Sequence, residues 1–356
     1  MGLEDQIAEI EEEIKKTPYN KASQHHIGKL KAKLAKLRDI LVERSSGGGG
    51  GSGFGVKKTG DAMVVLVGYP SVGKSTLLNK LTNAESETAA YEFTTLDAIP
   101  GMMEYKNLNI QLVDLPGLIE GAAEGRGRGR EVLSVARSAD LVVMLLDVKR
   151  LHALDSIRSE LYKCGLRLNE KPPKVSIKKK DRGGVHVTST VRQRELTEDA
   201  IKGVMDVYNF HNAEIVLSEQ LSEDRFIDVL RGNRIYVPAI IVVNKIDQLG
   251  EGECVNLRDD YIPISAEDEV GFEALREEIY KKLDLIRVFL KPQGKEADLD
   301  EPLILKGGST IRDLCRSLHK DFEKKFRYAL VWGEHVKHQG QRVGLRHVLT
   351  LSLIHI

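Results

Sequence analysis

The apolar positions along the chain change their period several times, and each change marks an element. Across residues 3–43 they recur at helical spacing, Ile7, Ile10 and Ile14 first and then Ile27, Leu30, Leu34, Leu37 and Leu41, within highly charged sequence. Thr17-Pro18-Tyr19-Asn20 interrupts the pattern with turn residues, which predicts a helical hairpin over 1–45. Residues 45–55 are almost all Gly and Ser, a composition that behaves as a tether, so a linker is expected over 46–60. Beyond it, 63–67, 108–113, 141–146 and 240–243 are short apolar runs nearly free of charge, separated by helical stretches. Strands that read apolar on both faces belong to a sheet covered on both sides. An α/β core with a mostly parallel sheet follows, in two parts, 61–164 and 237–285.

Residues 165–236 contain Lys171-Pro172-Pro173 and the run from Lys178 to Gly184, which suit an inserted subdomain better than a compact crossover. After the core, 286–290 resumes β character, and Ser309 and Thr310 can cap an amphipathic helix over 311–318. A small β-rich domain over 286–350 accounts for that stretch. The uncharged segment 351–356 resembles translated adapter sequence and is expected to be an artificial tail.

Composition adds exclusions. With 356 residues, 41% hydrophobic and 30% charged, the chain can build several packed domains. Lys+Arg and Asp+Glu are equal at 53 each, so any basic contact surface must be local. Cys164, Cys254 and Cys315 form no CxxC pair, which suggests neither a disulfide framework nor a zinc site and fits a reducing cytoplasm. No run approaches the ~20 apolar residues of a membrane helix, and the N-terminus lacks the pattern of a signal peptide, so no membrane partner is expected. Gly2 follows Met1, but Gln6 stands where myristoylation wants Ser or Thr. The second helix of the hairpin carries Lys21, Lys29, Lys31, Lys33, Lys36 and Arg38, which is either a face for phosphate backbones or a solvated surface.

The candidate chemistry lies at the ends of the apolar runs. Gly68-Tyr69-Pro70-Ser71-Val72-Gly73-Lys74-Ser75 fits G-x-x-x-x-G-K-[ST] between a strand and a helix that runs on through Thr76. There Gly68 and Gly73 let backbone N–H groups wrap a phosphate, Lys74 adds charge at the β- and γ-phosphates, and Ser75 offers a hydroxyl to Mg²⁺. Asp114-Leu115-Pro116-Gly117 follows the second run, where the carboxylate can reach the metal and the Gly117 N–H can sense the γ-phosphate. Thr95, in Phe93-Thr94-Thr95-Leu96, supplies a hydroxyl that completes the Mg²⁺ shell when the third phosphate is bound, the physics of a switch. Asn244-Lys245-Ile246-Asp247 closes the fourth run, and a buried Asp247 accepting from guanine N1–H and N2 favours GTP over ATP. Ser265-Ala266 is placed to offer a backbone N–H to the guanine oxygen.

These residues resemble the developmentally regulated GTP-binding proteins of the Obg superfamily of translation-factor-class GTPases. The likeness extends to 25–32, to 91–96, to the stretch from Asp114 to Ala122 and on into Gly125-Arg126-Gly127-Arg128-Gly129. It implies a P-loop G domain interrupted by a small α/β insertion, an N-terminal helical segment and a C-terminal TGS domain of β-grasp type, a module linked to RNA or ribosome contact. Leu118 stands where Ras-like enzymes place a water-orienting Gln and can neither donate nor accept a hydrogen bond, so slow intrinsic hydrolysis is expected. Relatives of this kind often use K⁺ with an Asn in the phosphate loop, and Ser71 occupies the comparable position here. Arg126, Arg128 and Arg130 are either transition-state contacts or solvated, partner-facing charges.

Three functional classes remain in view. The first is a Mg²⁺-dependent GTPase switch that a protein cofactor accelerates. The second is an RNA- or ribosome-binding adaptor whose GTP is a conformational ligand. A metabolic kinase is the third, disfavoured because 244–247 has no task there.

Overall fold

The computed structural model describes residues 2–18, 20, 23–44, 58–82, 99–115, 135, 138–249, 258–291, 302–333, 336–349 and 352–355. By internal contacts the chain divides into two compact units, Met1–Glu104 with Ile110–Phe272, and Tyr105–Asn109 with Glu273–Ile356. Among the described residues no helix is long and apolar enough to cross a membrane.

In the first unit, α1 (Leu3–Lys16) and α2 (Gln24–Arg44) form the hairpin that the apolar spacing predicts. Asn20 and Ser23 exchange hydrogen bonds of 3.0 Å at its turn. The core sheet runs through β1 (Ala62–Val67), β2 (Ile99–Tyr105), β3 (Leu108–Asp114) and β4 (Leu141–Asp147), with α3 (Lys74–Leu81) after β1 and α4 (Ala153–Lys163) after β4. It is completed beyond the insertion by β10 (Ala239–Asn244) and β11 (Tyr261–Pro263). The strand order is β11-β10-β4-β1-β3-β2, and every registered pairing from β11 to β3 is parallel. All six residues of β1 and of β10 are buried, as strands covered on both faces require. Lys106 and Asn107 join β2 to β3 with φ of +49° and +60°, the geometry of a two-residue hairpin turn.

Between β4 and β10 the chain builds a subdomain of its own. Strands β5 (Leu166–Leu168) and β9 (Ile235–Val237) pair in parallel at its root. Asn169 fixes that root to β10, donating from Nδ2 to Ala239 O at 3.0 Å and accepting the Ala239 N–H at 2.8 Å. Beyond the root, β6 (Val175–Lys179), β7 (Val185–Ser189) and β8 (Ala213–Leu217) form a three-stranded sheet in the order β6-β8-β7. Helices α5 (Glu198–Val207) and α6 (Glu223–Arg231) supply its core with Ala200, Ile201, Val204, Met205, Phe226 and Ile227. Both helices start on side-chain caps, Thr197 and Ser222.

Helix α2 packs on this insertion, and two glycines set how closely. A Cβ on Gly28 would lie 3.1 Å from Ala200 O of α5, and one on Gly203 would lie 2.7 Å from His25 O. Ala32 of α2 joins the insertion's core. The basic residues of α2 are turned largely inward to acids: Lys29 to Asp206 at 3.2 Å, Lys31 to Glu223 at 3.0 Å, and Arg38 to Glu11 of α1 at 2.6 Å. Lys33 and Lys36 stay exposed and have no ion-pair partner among the described residues. Lys21 lies outside those residues. The face expected for phosphate backbones is therefore cut to a pair of lysines, because the charges serve internal packing.

In the second unit, α7 (Phe272–Leu283) precedes β12 (Leu285–Leu290), β13 (Leu303–Lys306), α8 (Ile311–Leu318), α9 (Lys320–Lys325), β14 (Ala329–Gly333), β15 (Gln341–Val343) and β16 (Ser352–His355). The sheet order is β13-β12-β16-β14-β15, and Val288, Ile311, Leu314, Ala329 and Val331 fill its core. The Thr310 N–H donates to Asp313 Oδ2 at 2.8 Å and opens α8 at the expected cap. Residues 352–355, expected as a tail outside this domain, form the strand between β12 and β14, parallel to the first and antiparallel to the second. Backbone pairing does not depend on side-chain identity, so this segment meets the sheet's requirement for a central strand.

Candidate functional site

The site assembles where β1, β3, β4, β10 and β11 end. From Val67 the chain turns through Gly68 to Gly73 into α3, and neither glycine can be replaced without a collision. A Cβ on Gly68 would stand 2.5 Å from the Leu145 carbonyl oxygen of β4. Gly73 has φ +92°, and a Cβ there would stand 2.3 Å from Asn244 Nδ2. Ser71 also takes a left-handed φ, +62°. The loop carries Tyr69 half-buried, with its hydroxyl donating to Ser156 Oγ of α4 at 2.9 Å, while Pro70 and Ser71 are exposed and Val72 is buried.

Lys74, the first residue of α3, curls back under this loop. Its Nζ donates to Gly68 O at 2.9 Å and Tyr69 O at 3.1 Å. Burial pushes the ammonium below its ordinary value, and the Asp114 carboxylate offsets that only in part. An anion above the loop would supply the missing counter-charge. Ser75 and Thr76 follow in the first turn of α3, where backbone N–H groups and the helix dipole favour negative charge.

Asp114 ends β3 at 3% exposure. Its Oδ2 accepts the Ser75 hydroxyl at 3.0 Å, but Oδ1 is buried with no hydrogen-bond partner among the described residues. A buried carboxylate oxygen left bare is costly, and a cation beside it removes the cost. Hydroxyl and carboxylate are the hard oxygen donors that Mg²⁺ prefers, so the residues present fit that ion. Among the described residues no cluster of three His, Cys, Asp or Glu forms. Leu115 continues the line of β3 and is buried. Thr95, Pro116, Gly117 and Leu118, like Arg126, Arg128 and Arg130, lie outside the described residues.

Asn244, the last residue of β10, ties the two halves of the site together. It is 2% exposed, its Nδ2 donates to Val72 O at 2.8 Å, and its Oδ1 accepts the Ala266 N–H at 2.8 Å. One side chain thus braces the glycine loop against the 265–266 turn. Lys245 adopts φ +67° and donates from Nζ to Asp147 Oδ2 at 2.9 Å. Burial raises the Asp147 carboxyl, but the Lys149 N–H and the Lys245 ammonium outweigh it, so Asp147 stays below the usual carboxylate range. Asp147 went unnoticed in the sequence. Its signal was present, since it closes β4 in register with Asn244 as Asp114 closes β3.

Two expectations need correction. Asp247 is exposed, not buried, and has no partner among the described residues. It sits with Ile246 in a single turn of 3₁₀ helix at the rim of the site, so an incoming base, not the protein fold, would take its carboxylate out of water. The Ala266 N–H, expected at a base oxygen, donates to Asn244 Oδ1 in this structure. Ser265, 1% exposed, shapes the turn instead, donating from Oγ to Asp268 Oδ2 at 3.0 Å and accepting the Asp268 N–H at 3.1 Å.

With this geometry in place, comparison with known proteins is direct. The family model described as "50S ribosome-binding GTPase" matches residues 63–180, one described as the C-terminal region of the same domain matches 182–285, and one for the TGS domain matches 286–350. An uncharacterized GTP-binding protein of Methanocaldococcus jannaschii is 53% identical over 98% of this chain and 91% of its own length. Developmentally-regulated GTP-binding protein 1 of Xenopus laevis is 49% identical, covering 98% of this chain and 96% of its own. Developmentally-regulated G-protein 3 of Arabidopsis thaliana is also 49% identical, over 96% and 95%. A loop built to cradle phosphate, its brace to a second turn and near-full-length identity of about half thus agree, and the chain belongs to the developmentally regulated GTP-binding proteins, P-loop proteins that bind GTP.

Proposed function

We propose that the chain hydrolyses GTP to GDP and phosphate and serves as a slow molecular switch in translation. The observation that carries the reading is the buried Oδ1 of Asp114, without a partner among the described residues, beside the Ser75 hydroxyl and a buried lysine whose charge Asp114 offsets only in part. Ser75 and Asp114, with Thr95, would hold Mg²⁺, which when bound offsets the charge that phosphoryl transfer spreads over the phosphate oxygens. Lys74 holds the β- and γ-phosphates, and the loop N–H groups orient them for in-line attack by water. Asn244 keeps the loop at its working distance from the 265–266 turn. Asp247 selects guanine at the rim, and the Gly117 N–H reports the third phosphate. Leu118 brings no hydrogen-bonding group to the attacking water, so the rate depends on a partner or on K⁺.

A link to ribosomes rests on the description of the matched family model and on the TGS domain. The test is phosphate release by the purified chain with Mg²⁺, in Na⁺ and in K⁺, with and without ribosomes, against a Lys74→Ala control. Slow release that ribosomes or K⁺ accelerate is expected. Release no faster than the control under every condition defeats the proposal.

A further inference from the structure

The chain is neutral overall, yet between 171 and 194 it carries eight Lys and Arg against one Asp. Lys178, Lys179, Lys180 and Arg182 fall in β6 and the turn to β7, and Lys171, Lys174, Arg192 and Arg194 in the segments that flank this hairpin, so the charge gathers around one small sheet. One face of that sheet packs on α5 and α6 through Val175, Ile177, Val185 and Val187. The other has no layer over it among the described residues: Ser176, Lys178, His186 and Thr188 are exposed, flanking Glu214 and Val216 of the central strand. In register, Lys178 and His186 lie on either side of Glu214. The single acid on this face is matched by Lys180 at 2.9 Å. Lys178, Arg182, Arg192 and Arg194 are exposed and have no ion-pair partner among the described residues.

We infer that this open face of the β6-β8-β7 sheet binds the phosphate backbone of duplex RNA. Charge complementarity selects a polyanion. His186 is the one aromatic ring among its outward positions, too few for the face to form a stacking platform for successive unpaired bases. Nor does it offer the apolar anchors that hold a protein on a lipid surface. The Lys178 ammonium, with the Ser176 and Thr188 hydroxyls on either side of Val216, suits the wide minor groove of an A-form helix, where phosphates and 2′-hydroxyls are displayed and sequence is read weakly. The inference stands apart from GTP hydrolysis and goes beyond the ribosome link by naming the surface and the nucleic-acid form. It also relocates the basic contact from α2, where Lys29, Lys31 and Arg38 are paired internally.

The experiment uses the full chain and two unrelated 20-base-pair RNA duplexes, titrated by fluorescence anisotropy at 50 and 200 mM salt. Both duplexes should bind alike, and neutralising about four phosphates should cost about 100-fold in affinity across that salt range. The variant Lys178→Glu/Arg182→Glu/Arg194→Glu should lose at least about 30-fold at low salt while its GDP affinity and melting temperature hold. Lys33→Glu/Lys36→Glu on α2 should bind duplex RNA within about threefold of the parent, since it leaves the sheet face intact. Unchanged binding by the triple variant overturns the inference, as does an equal loss in the α2 variant. Binding of duplex DNA or anionic vesicles as tight as that of duplex RNA overturns the choice of ligand. Loss of GTPase activity with RNA binding intact bears on the hydrolysis proposal alone.

Discussion

The contact between Gly73 and Asn244 predicts that two damaging substitutions combine to do less harm than their sum. Asn244→Ala strips the partners from Val72 O and the Ala266 N–H, both buried, at about 1–3 kcal/mol for each group, so about 2–6 kcal/mol in all. Gly73→Ala places a methyl where Asn244 Nδ2 now lies, 2.3 Å away, and so expels the same side chain with the same loss of hydrogen bonds. To that it adds the strain of a non-glycine residue at φ +92°, about 1–2 kcal/mol. Once Asn244 is alanine, Gly73→Ala has nothing to expel and costs the strain alone. The double variant should therefore be only about 1–2 kcal/mol less stable than Asn244→Ala, with a coupling of about 2–6 kcal/mol. Urea unfolding of the four proteins, at matched slope, measures it. Effects that add to within about 0.5 kcal/mol would refute the claim that one side chain joins the loop to the 265–266 turn.

Other consequences are as direct. Lys74 is buried with its ammonium shifted down from 10.5, so between that lowered value and 10.5 the unfolded chain holds more protons and stability rises with pH. A triphosphate pushes the same group back up, so binding takes up protons, and GTP affinity should fall as pH rises through the free protein's Lys74 value; calorimetry in two buffers of different ionisation enthalpy detects the uptake, and Lys74→Ala should abolish it. Arg167 and Asp228 form a buried pair at 2.6 Å and 2.7 Å, so Arg167→Met should cost about 3–5 kcal/mol in denaturant, less any part that Arg234, 2.7 Å from Asp228, retains. Gly203→Leu forces α2 off the insertion and should cost about 1–3 kcal/mol, seen as faster proteolysis of the N-terminal hairpin with GDP affinity unchanged.

Strands buried on both faces were legible because burial permits only an apolar run, so β1, β3, β4 and β10 could be read straight from the sequence. Strand β2 escaped notice because Pro100 and Gly101 break its run, which an edge position tolerates. In the insertion, β6 reads as a lysine cluster because only Val175 and Ile177 alternate inward. The phosphate loop is local in sequence, and the structure places it at the strand ends beside Asp114 and Asn244. What could not be read were the partners. The acids that pair with α2 lie at Asp206 and Glu223, far along the chain, and nothing local distinguishes a paired lysine from a solvated one. Asp247 was expected inside because recognising a base by hydrogen bonds requires desolvation, yet the fold itself leaves it exposed.

The central claim is that the loop and the rim acid act on one ligand, the first holding phosphate and the second choosing the purine. Calorimetric titration of the nucleotide-free chain with GDP and with ADP, in Mg²⁺, tests it most directly. The account predicts that GDP binds at least about 100-fold more tightly than ADP and that Asp247→Ala erases most of the difference. Equal affinities for the two nucleotides, or a preference that survives removal of the Asp247 carboxylate, would contradict it.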